Sequence, residues 1–259
     1  MINCNYTFGD ETQPLLAFAI HNGHRMPKAI LNFTEVSEAD RFREEDPHTG
    51  RFAQRFSNHI IVHTSRFALD LNRPLNRAVY QHPEDAWGLK VRNQEIPAEV
   101  MMDLQSSYQE WYCLVKYQIN RLLERHEFLT ILDLHSFNHR RGGPDAPPDP
   151  QEMNPDIILG RSNMPVAYYD KVEALRDRLD GKDFLGRLLD CRCDVKFPGG
   201  HFPRWLHDTF PGRLLCIAVE FKKIYMNEWT GRQNPAFTML LSELFSAAVS
   251  DWQKAIFPR

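Results

Sequence analysis

Residues 130–141, with the sequence TILDLHSFNHRR, decide how the rest of the chain can be interpreted. The apolar run at 128–132 leads directly into a cluster of polar side chains that begins at Asp133. A short apolar run of this kind predicts a buried strand, and open α/β sheets bind ligands just beyond the carboxyl ends of their strands. We therefore expect His135 to lie at a sheet edge as a metal ligand. Asp133 shares its face of the strand and could orient the imidazole or flank the same pocket.

The composition is that of an ordinary globular protein, with 42% hydrophobic and 25% charged residues in 259. The net charge of −3 gives no indication of a nucleic-acid partner or of an anionic membrane surface. The N-terminus shows no signal-peptide pattern, and no apolar run approaches the roughly 20 residues that span a bilayer. Five scattered cysteines suggest free thiols and a cytoplasmic location. The sequence does not specify an oligomeric state.

A second strand end also delivers a histidine. The apolar run at 14–20 leads into a turn that contains His21 and His24. A lone histidine in such a place is usually an ordinary polar residue, but His21 occupies the same kind of position as His135. Two neutral imidazoles that converge at strand ends suit zinc or a similar divalent ion. Asp46, in the loop before the next predicted helix, is either a turn residue or an oxygen ligand that completes the site.

The short polar segment 70–74, which ends in a proline, is a candidate for binding a carboxylate. Arg73 can hold a carboxylate through two hydrogen bonds, and Asn72 can add another. Ion pairing of Asp70 with Arg66 or Arg73 is the structural alternative for the charges in this segment.

Other segments are predicted to surround the pocket. The Pro/Gly-rich segment 142–150 follows the polar cluster directly and is a candidate wall or lid, or else a linker. The segment 83–88 is predicted to be a loop with a buried tryptophan, Trp87. His201, Arg204 and His207 follow a glycine-rich turn and are candidate substrate contacts, although His207 could instead form a surface pair with Asp208.

The last predicted strand, at 214–223, is apolar until Glu220. A carboxylate at the end of a buried strand must be paired, protonated or close to a metal. A glutamate beside a metal-activated water is the usual general base of metal-assisted hydrolysis. Further strands are predicted at 59–63 and 156–160, and helices at 37–45, 51–57, 97–126, 166–179 and 234–256.

Taken together, these segments resemble the N-formylglutamate amidohydrolase family. The matching pieces occur in order between about residues 14 and 232, and they are HNGHRMP from His21, RFREEDP from Arg41, SRFALDLNRP from Ser65, PEDAWGL from Pro83, DLHSFNHRR from Asp133, GGHF from Gly199 and EFKK from Glu220. The resemblance implies a three-layer αβα fold with a mixed, mostly parallel central sheet, similar to the zinc carboxypeptidases and the aspartoacylase group (phosphorylase/hydrolase-like). It also implies a single catalytic domain over residues 1–259.

The resemblance leaves two candidates for the second metal ligand. In the broader carboxypeptidase-like group, a glutamate follows the first metal histidine by three residues, whereas this chain has His24 at that position. Either His24 coordinates directly, or Asp46 reaches in from the loop before the following helix. The match of the segment that contains Asp46 favours Asp46, so the expected ligands are His21, Asp46 and His135.

The resemblance also assigns the substrate-binding and catalytic residues. The paired asparagine and arginine that hold the substrate carboxylate match Asn72 and Arg73, and the catalytic glutamate matches Glu220. Arg73 is counted with Glu220 among the catalytic residues, and Arg140 or Arg141 is available for a second carboxylate. The implied reaction is hydrolysis of a small N-acyl acidic amino acid such as N-formylglutamate, with zinc or another divalent ion as cofactor.

Two other functions are compatible with these residues. The protein could be a zinc carboxypeptidase or deacylase that acts on another N-acyl amino acid or a small peptide. It could also be a binding protein that keeps the fold without catalysis. Retention of His21, Arg73, His135 and Glu220 together argues against the binding protein, since a scaffold has no physical need for all of them.

Overall fold

A seven-stranded sheet forms the centre of the computed structural model, which describes residues 2–256. In spatial order its strands are β1 (Cys4–Phe8), β3 (Asn58–Val62), β2 (Leu15–Ala19), β4 (Leu129–Phe137), β9 (Leu214–Lys222), β5 (Ile157–Gly160) and β8 (Cys191–Cys193). The pairs β3–β2, β2–β4, β4–β9 and β5–β8 are parallel, and the pairs β1–β3 and β9–β5 are antiparallel. The hairpin of β6 (Asp183–Phe184) and β7 (Arg187–Leu188) lies outside this sheet. The mixed, mostly parallel sheet that the resemblance implied is confirmed.

Helices cover both faces of the sheet and complete three layers. One core contains buried residues of α3 (Thr49–Ala53), α5 (Tyr169–Leu179) and α7 (Pro235–Ile256), and the other contains those of α4 (Ala98–Leu123) and α6 (His201–Thr209). Along β4, Leu132 and Leu134 belong to the first core, whereas Leu129 and Ile131 belong to the second. This alternation is the period of two expected of a strand buried on both faces.

Short elements connect these layers. The helices α1 (Lys28–Leu31) and α2 (Glu38–Glu44) follow β2, and turns of 3₁₀ helix lie at Leu75–Arg77, Pro83–Ala86, Gln151–Met153 and Val166–Tyr168. Ser37 caps α2, because its side chain accepts a hydrogen bond from the backbone N–H of Asp40 at 3.0 Å. Among residues 2–256, no helix is both long enough and apolar enough to cross a membrane.

The longest helix follows the predicted pattern closely. α4 begins at Ala98 directly after Pro97, whose ring disfavours helical backbone in the residue before it and fits a helix start. The apolar side chains at steps of three and four are buried in the second core, and these are Leu104, Tyr108, Trp111, Tyr112, Val115, Ile119 and Leu122. The stripe is therefore a packing surface.

Two predicted boundaries are wrong in ways that affect the site. β4 does not end before the polar cluster but continues to Phe137, because β9 pairs with it residue by residue as far as Phe137–Lys222. The helix predicted at 51–57 is displaced to Thr49–Ala53. It stops there because β3 begins at Asn58 and the chain needs the intervening residues to turn into the sheet.

Candidate active site

The two central strands bring a histidine and a glutamate together. β4 and β9 run parallel, and their register pairs Asp133 with Ala218 and His135 with Glu220. Residues directly opposite each other on neighbouring strands project their side chains to the same face of the sheet. His135 and Glu220 therefore lie side by side, within the ladder rather than beyond the strand ends where His135 was predicted.

The chain that follows β2 occupies the other side of β4. The ladder between β2 and β4 stops at the pair Phe18–Asp133, so the later residues of β4 lie beside the loops that come after β2. His21 lies directly beyond β2, and its ring centroid is 4.8 Å from that of His135. The backbone N–H of Asp46 donates to the carbonyl oxygen of His21 at 3.0 Å, which ties the loop that carries Asp46 to the same place.

His21, Asp46 and His135 form a buried cluster that fits a metal ion. One candidate ligand atom from each lies within 4.8 Å of the others. Asp46 Oδ2 is 2.9 Å from His135 Nδ1 and 3.4 Å from His21 Nδ1. His21 Nδ1 is buried and has no hydrogen-bond partner among the described residues, which is a costly state unless a ligand completes it. Two imidazoles and one carboxylate are the donor set that zinc and similar ions favour.

Each histidine of the cluster faces a second carboxylate through its other nitrogen. His21 Nε2 is 2.7 Å from Asp70 Oδ1, and His135 Nε2 is 2.9 Å from Asp133 Oδ2. Asp70 can hold the proton of His21 on Nε2, which leaves the lone pair of its Nδ1 available, whereas His135 has a carboxylate beside each of its two ring nitrogens. Both Nδ1 atoms lie on the side of Asp46, and this is the orientation that a metal ion requires.

The carboxylates also set the charge state of the cluster. Burial disfavours a charged imidazole, but Asp133 and Asp46 nevertheless raise the pKa of His135 well above its ordinary value. Burial likewise disfavours a charged carboxylate, yet the hydrogen bond with His135 and the close approach of His21 hold the pKa of Asp46 well below its usual range. The contact between His135 and Asp46 therefore favours the charged form of each, and a cation that binds His135 competes with the proton on its Nδ1.

A buried lysine holds the loop that carries Asp46. Lys223 is 1% exposed, and its Nζ donates to the carbonyl oxygens of Arg43 and Glu45 at 2.6 and 2.7 Å and to Asn138 Oδ1 at 2.9 Å. These three bonds use the three donors of the ammonium group and join the end of β9 to the loop before α3. Lys223 is therefore a positioning residue for Asp46.

His24, the alternative second ligand, lies outside the cluster. Its Nδ1 is 2.6 Å from Glu45 Oε2, and its Nε2 is 3.3 Å from Glu38 Oε1. The interaction with Glu45 raises the pKa of His24 above its ordinary value. Of the two candidates, the structure brings Asp46 to His21 and His135 and leaves His24 in a separate ion pair.

Asp70 joins the cluster to the segment that was predicted to bind a carboxylate. Its side chain is buried, contacts His21, and accepts hydrogen bonds from Arg66 Nη2 at 2.9 Å and from the backbone N–H of Asn72 at 2.8 Å. Arg73 Nε lies 3.9 Å from Asp70 Oδ2. Burial disfavours the charge, but Arg66 and His21 hold the pKa of Asp70 well below its ordinary value. Asp70 thus makes the expected ion pairs and also orients a candidate metal ligand.

Asn72 is fixed against the N-terminus of α6. Its Oδ1 accepts a hydrogen bond from the backbone N–H of Phe202 at 2.9 Å, and its carbonyl oxygen accepts one from His201 at 3.3 Å. These contacts occupy the oxygen atoms of Asn72, so its Nδ2 group is the part of the side chain that can donate to a ligand. The approach is close because Gly200 has no side chain, and a Cβ atom there would lie 2.1 Å from Asn72 Oδ1.

Gly200→Ala is expected to displace the Asn72 amide, because the new methyl group would occupy its position. If Asn72 donates a hydrogen bond to a substrate, as the resemblance implies, the loss of that bond corresponds to roughly a tenfold rise in KM. Steady-state kinetics of Gly200→Ala, Asn72→Ala and the double variant test this. The double variant should be no worse than Asn72→Ala alone, because both changes remove the same contact. Fully additive losses would show that Gly200 acts by another route.

A cavity of about 400 Å³ opens above the cluster. The predicted site residues that line it are His21, Asp46, Asn72, Arg73, His135, Arg141, His201 and Glu220. Arg204 also lines the cavity and donates through Nη2 to Asn163 Oδ1 at 3.0 Å. Arginine and asparagine side chains therefore surround the space beside the buried carboxylates and histidines.

Arg140 and the segment 142–150 were predicted to border the cavity, but neither of them lines it. Arg140 faces a different recess, because Glu228 accepts its backbone N–H at 2.9 Å and its Nη1 donates to the carbonyl oxygen of Ala146. Residues 142–150 are also absent from the lining. Of the two arginines proposed for a second carboxylate, Arg141 reaches the cavity and contacts Glu44 at 3.4 Å.

Trp87 was predicted to be buried, and this prediction is wrong. Its side chain is 51% exposed and lines the cavity, while the buried residue of its loop is Ala86. Ala86 packs with Phe67, Tyr80 and Val91 in a small separate core. The anchor of the loop is therefore the alanine, and the tryptophan is left at the cavity rim.

Glu220 has the electrostatic surroundings of a proton acceptor. Burial at the cavity floor, together with the nearby charge of Asp46, raises the pKa of its carboxyl to about 8, although His135 opposes this shift. A carboxyl group whose pKa lies near neutrality can accept and return a proton at physiological pH.

Sequence reasoning missed the contacts that support the site. The role of Asp70 in orienting His21 was not predicted, although its close spacing to Asn72 and Arg73 is a signal. Nothing in the sequence distinguishes Lys223 from the adjacent Lys222, because only the turn after β9 directs Lys223 toward the loop of Asp46.

The fold and the cavity define an α/β protein whose sheet carries a cluster of buried histidines and carboxylates beside several arginines. A model of the N-formylglutamate amidohydrolase family matches residues 13–226, and the chain belongs to this family. Membership makes the protein a hydrolase that acts on amide bonds, which sets aside the hypothesis of a non-catalytic binding protein.

Solved structures support the fold. The crystal structure of N-formylglutamate amidohydrolase from Ralstonia eutropha JMP134 is similar with a TM-score of 0.73 and 16% identity, over 98% of each chain. A gene product from Agrobacterium tumefaciens is similar with a TM-score of 0.65 and 17% identity, over 96% of this chain and 95% of its own. A search of the curated proteins found no match.

Proposed function

We propose that the protein is a metal-dependent hydrolase of small N-acyl acidic amino acids such as N-formylglutamate. The observation that carries the proposal is the buried set of His21, Asp46 and His135, whose candidate ligand atoms lie within 4.8 Å of one another beside Glu220. Family membership supports the amide bond as the target. The donor set favours zinc, while other divalent ions accept similar ligands.

The residues of the chain have distinct tasks in this proposal. His21, Asp46 and His135 would hold the ion, and Asp70 and Asp133 would orient the two imidazoles. When bound, a divalent ion polarises the scissile carbonyl and lowers the pKa of a water molecule.

The remaining polar groups act on the substrate and its protons. Glu220 accepts the proton of the attacking water and returns it to the leaving amine. Arg73 and the Nδ2 group of Asn72 hold one carboxylate of the substrate, and Arg141 holds the second. His201, which lines the same cavity, contacts the substrate. Positioning of the amide between these groups supplies much of the expected rate enhancement.

Hydrolysis of N-formyl-L-glutamate by the purified protein tests the proposal. We expect release of formate and glutamate, loss of activity after treatment with a chelator, and recovery when zinc is restored. Activity that survives complete removal of metal would overturn metal dependence. Failure of the metal-loaded protein to cleave any N-acyl glutamate or aspartate would overturn the substrate class.

We also propose one catalytic domain for residues 1–259 and a cytoplasmic location. The strands of the central sheet come from residues 4–222, which supports a single folding unit. All five cysteines are free, which supports a reducing compartment.

A further inference from the structure

A large aromatic side chain stands at the rim of the cavity without the burial that tryptophan usually has. Trp87 lines the cavity and is 51% exposed, whereas tryptophan is highly buried on average. Its φ of 54° lies in the left-handed region, which is unfavourable for a bulky residue. Both the exposure of the Trp87 ring and the strain of its backbone are energetically unfavourable, and the packing of the loop does not explain either of them.

The loop holds Trp87 in this position. The backbone N–H of Gly88 donates to the carbonyl oxygen of Pro83 at 2.8 Å and closes the turn around Trp87. Asp85 accepts backbone hydrogen bonds from Gln81 at 3.0 Å and from His82 at 3.1 Å at the start of the same turn. The tryptophan is thus presented by an ordered turn.

A fixed cation supports the ring. The guanidinium carbon of Arg66 lies 4.9 Å from the ring centroid of Trp87, within the range of a cation–π contact. Arg66 is itself held by Asp70 at 2.9 Å and by the Tyr80 hydroxyl at 3.2 Å. Its charge is already paired with Asp70, so this part of the rim presents an aromatic surface rather than a free cation.

The rest of the cavity has room for a planar group. Phe137 and Phe197 also line it, and a volume of about 400 Å³ lies in the range of pockets that hold drug-sized ligands. Such ligands are larger than N-formylglutamate. In the proposed function Arg73, Asn72 and Arg141 hold the carboxylates, so the acyl group is the part of the substrate that is left to vary.

We propose that Trp87 is a specificity-determining residue that stacks against a planar apolar acyl group, so that N-aroyl amino acids are substrates beside the N-formyl compounds. The inference rests on the proposed function for the identity of the amino acid. The stacking itself depends only on the exposed ring at the rim.

The test compares N-formyl-L-glutamate with N-benzoyl-L-glutamate. In Trp87→Ala, kcat/KM for the benzoyl compound should fall about tenfold, the worth of an aromatic contact, while the formyl compound changes less than about threefold. Trp87→Phe should keep most of the benzoyl activity. Trp229→Phe is the matched control, because Arg43 lies 3.8 Å over the Trp229 ring in a similar pair outside the cavity lining. It should leave both substrates unchanged.

A binding measurement separates this inference from the proposed function. Titration with N-benzoyl-L-glutamate should quench tryptophan fluorescence in the wild type and in Trp229→Phe, and much less in Trp87→Phe. This result supports stacking even if the wild type cleaves neither compound, an outcome that would overturn only the proposed function. Absence of quenching in the wild type, or an equal loss of both activities in Trp87→Ala, would overturn the role of Trp87.

Discussion

Glu220→Gln is expected to lower kcat by about 10²–10⁴-fold without loss of the proposed metal or of the fold, since a general base, the role proposed for Glu220, usually contributes this much. The glutamine preserves the size and polarity of the side chain but cannot accept the proton of the attacking water. The register that pairs Glu220 with His135 places the carboxyl beside the candidate metal cluster without making it one of the three residues of that cluster. Kinetics and metal content of the same preparation are the required measurements.

Glu228→Gln is the matched control for this substitution. Glu228 is buried, lies outside the cavity lining and accepts backbone hydrogen bonds from His139 and Arg140 at 2.9 Å. We expect a loss of stability with kcat within about threefold of the wild type, since Glu228 touches none of the reacting groups. Activity that survives Glu220→Gln would show that another group is the base.

The pH profile of the wild type provides an independent check on the same residue. A base must be ionised to act, so kcat/KM should fall as the pH is lowered through the pKa of Glu220. The protein environment alone raises this pKa to about 8, and a neighbouring cation moves it downward because it favours the carboxylate. The acidic limb of the profile should therefore lie below pH 8.

The central strands and long helices could be predicted from sequence because each carries its own periodic signal. β2, the first half of β4 and β9 up to Glu220 are largely apolar runs, as buried parallel strands are, and α4 has an uninterrupted stripe. The edge strands β1 and β8 lack such a signal. Each is a strand because a distant partner pairs with it, as in Asn5 with Ile61 and Cys191 with Ile157, and neither partner is specified by the local sequence.

The spatial placement of the candidate site residues is easier to predict on strands than in turns. His135 and Glu220 lie on strands, so their common face follows from the register. Arg140 and Arg141 are adjacent residues after β4, and nothing in the sequence shows that Arg141 and not Arg140 lines the cavity. The exposure of Trp87 was missed for the same reason, since the φ of a turn residue is not encoded in hydrophobicity.

His135→Ala is expected to abolish binding of the divalent ion that the proposed function requires, at about one ion per chain in the wild type. The substitution deletes one of two imidazole donors, and the remaining His21 and Asp46 leave a site too poor in ligands for zinc. Asp133→Asn should have a graded effect, with about 10–100-fold weaker affinity, because it removes only the carboxylate that orients His135. Elemental analysis and competition with a metal-binding dye measure both.

His207→Ala is the control for His135→Ala, because it removes a buried histidine that is not a candidate metal ligand. His207 is 9% exposed, its Nδ1 lies 2.6 Å from the carbonyl oxygen of Asn163, and its Nε2 accepts the backbone N–H of Cys216 at 3.1 Å. Both contacts lie away from the candidate cluster, so this variant should be less stable but should keep its metal. If His135→Ala retained one ion per chain, the ion would be bound elsewhere. If neither the wild type nor His207→Ala took up zinc on reconstitution, the cluster would be a hydrogen-bonded network, and the proposed hydrolysis would need a different electrophile.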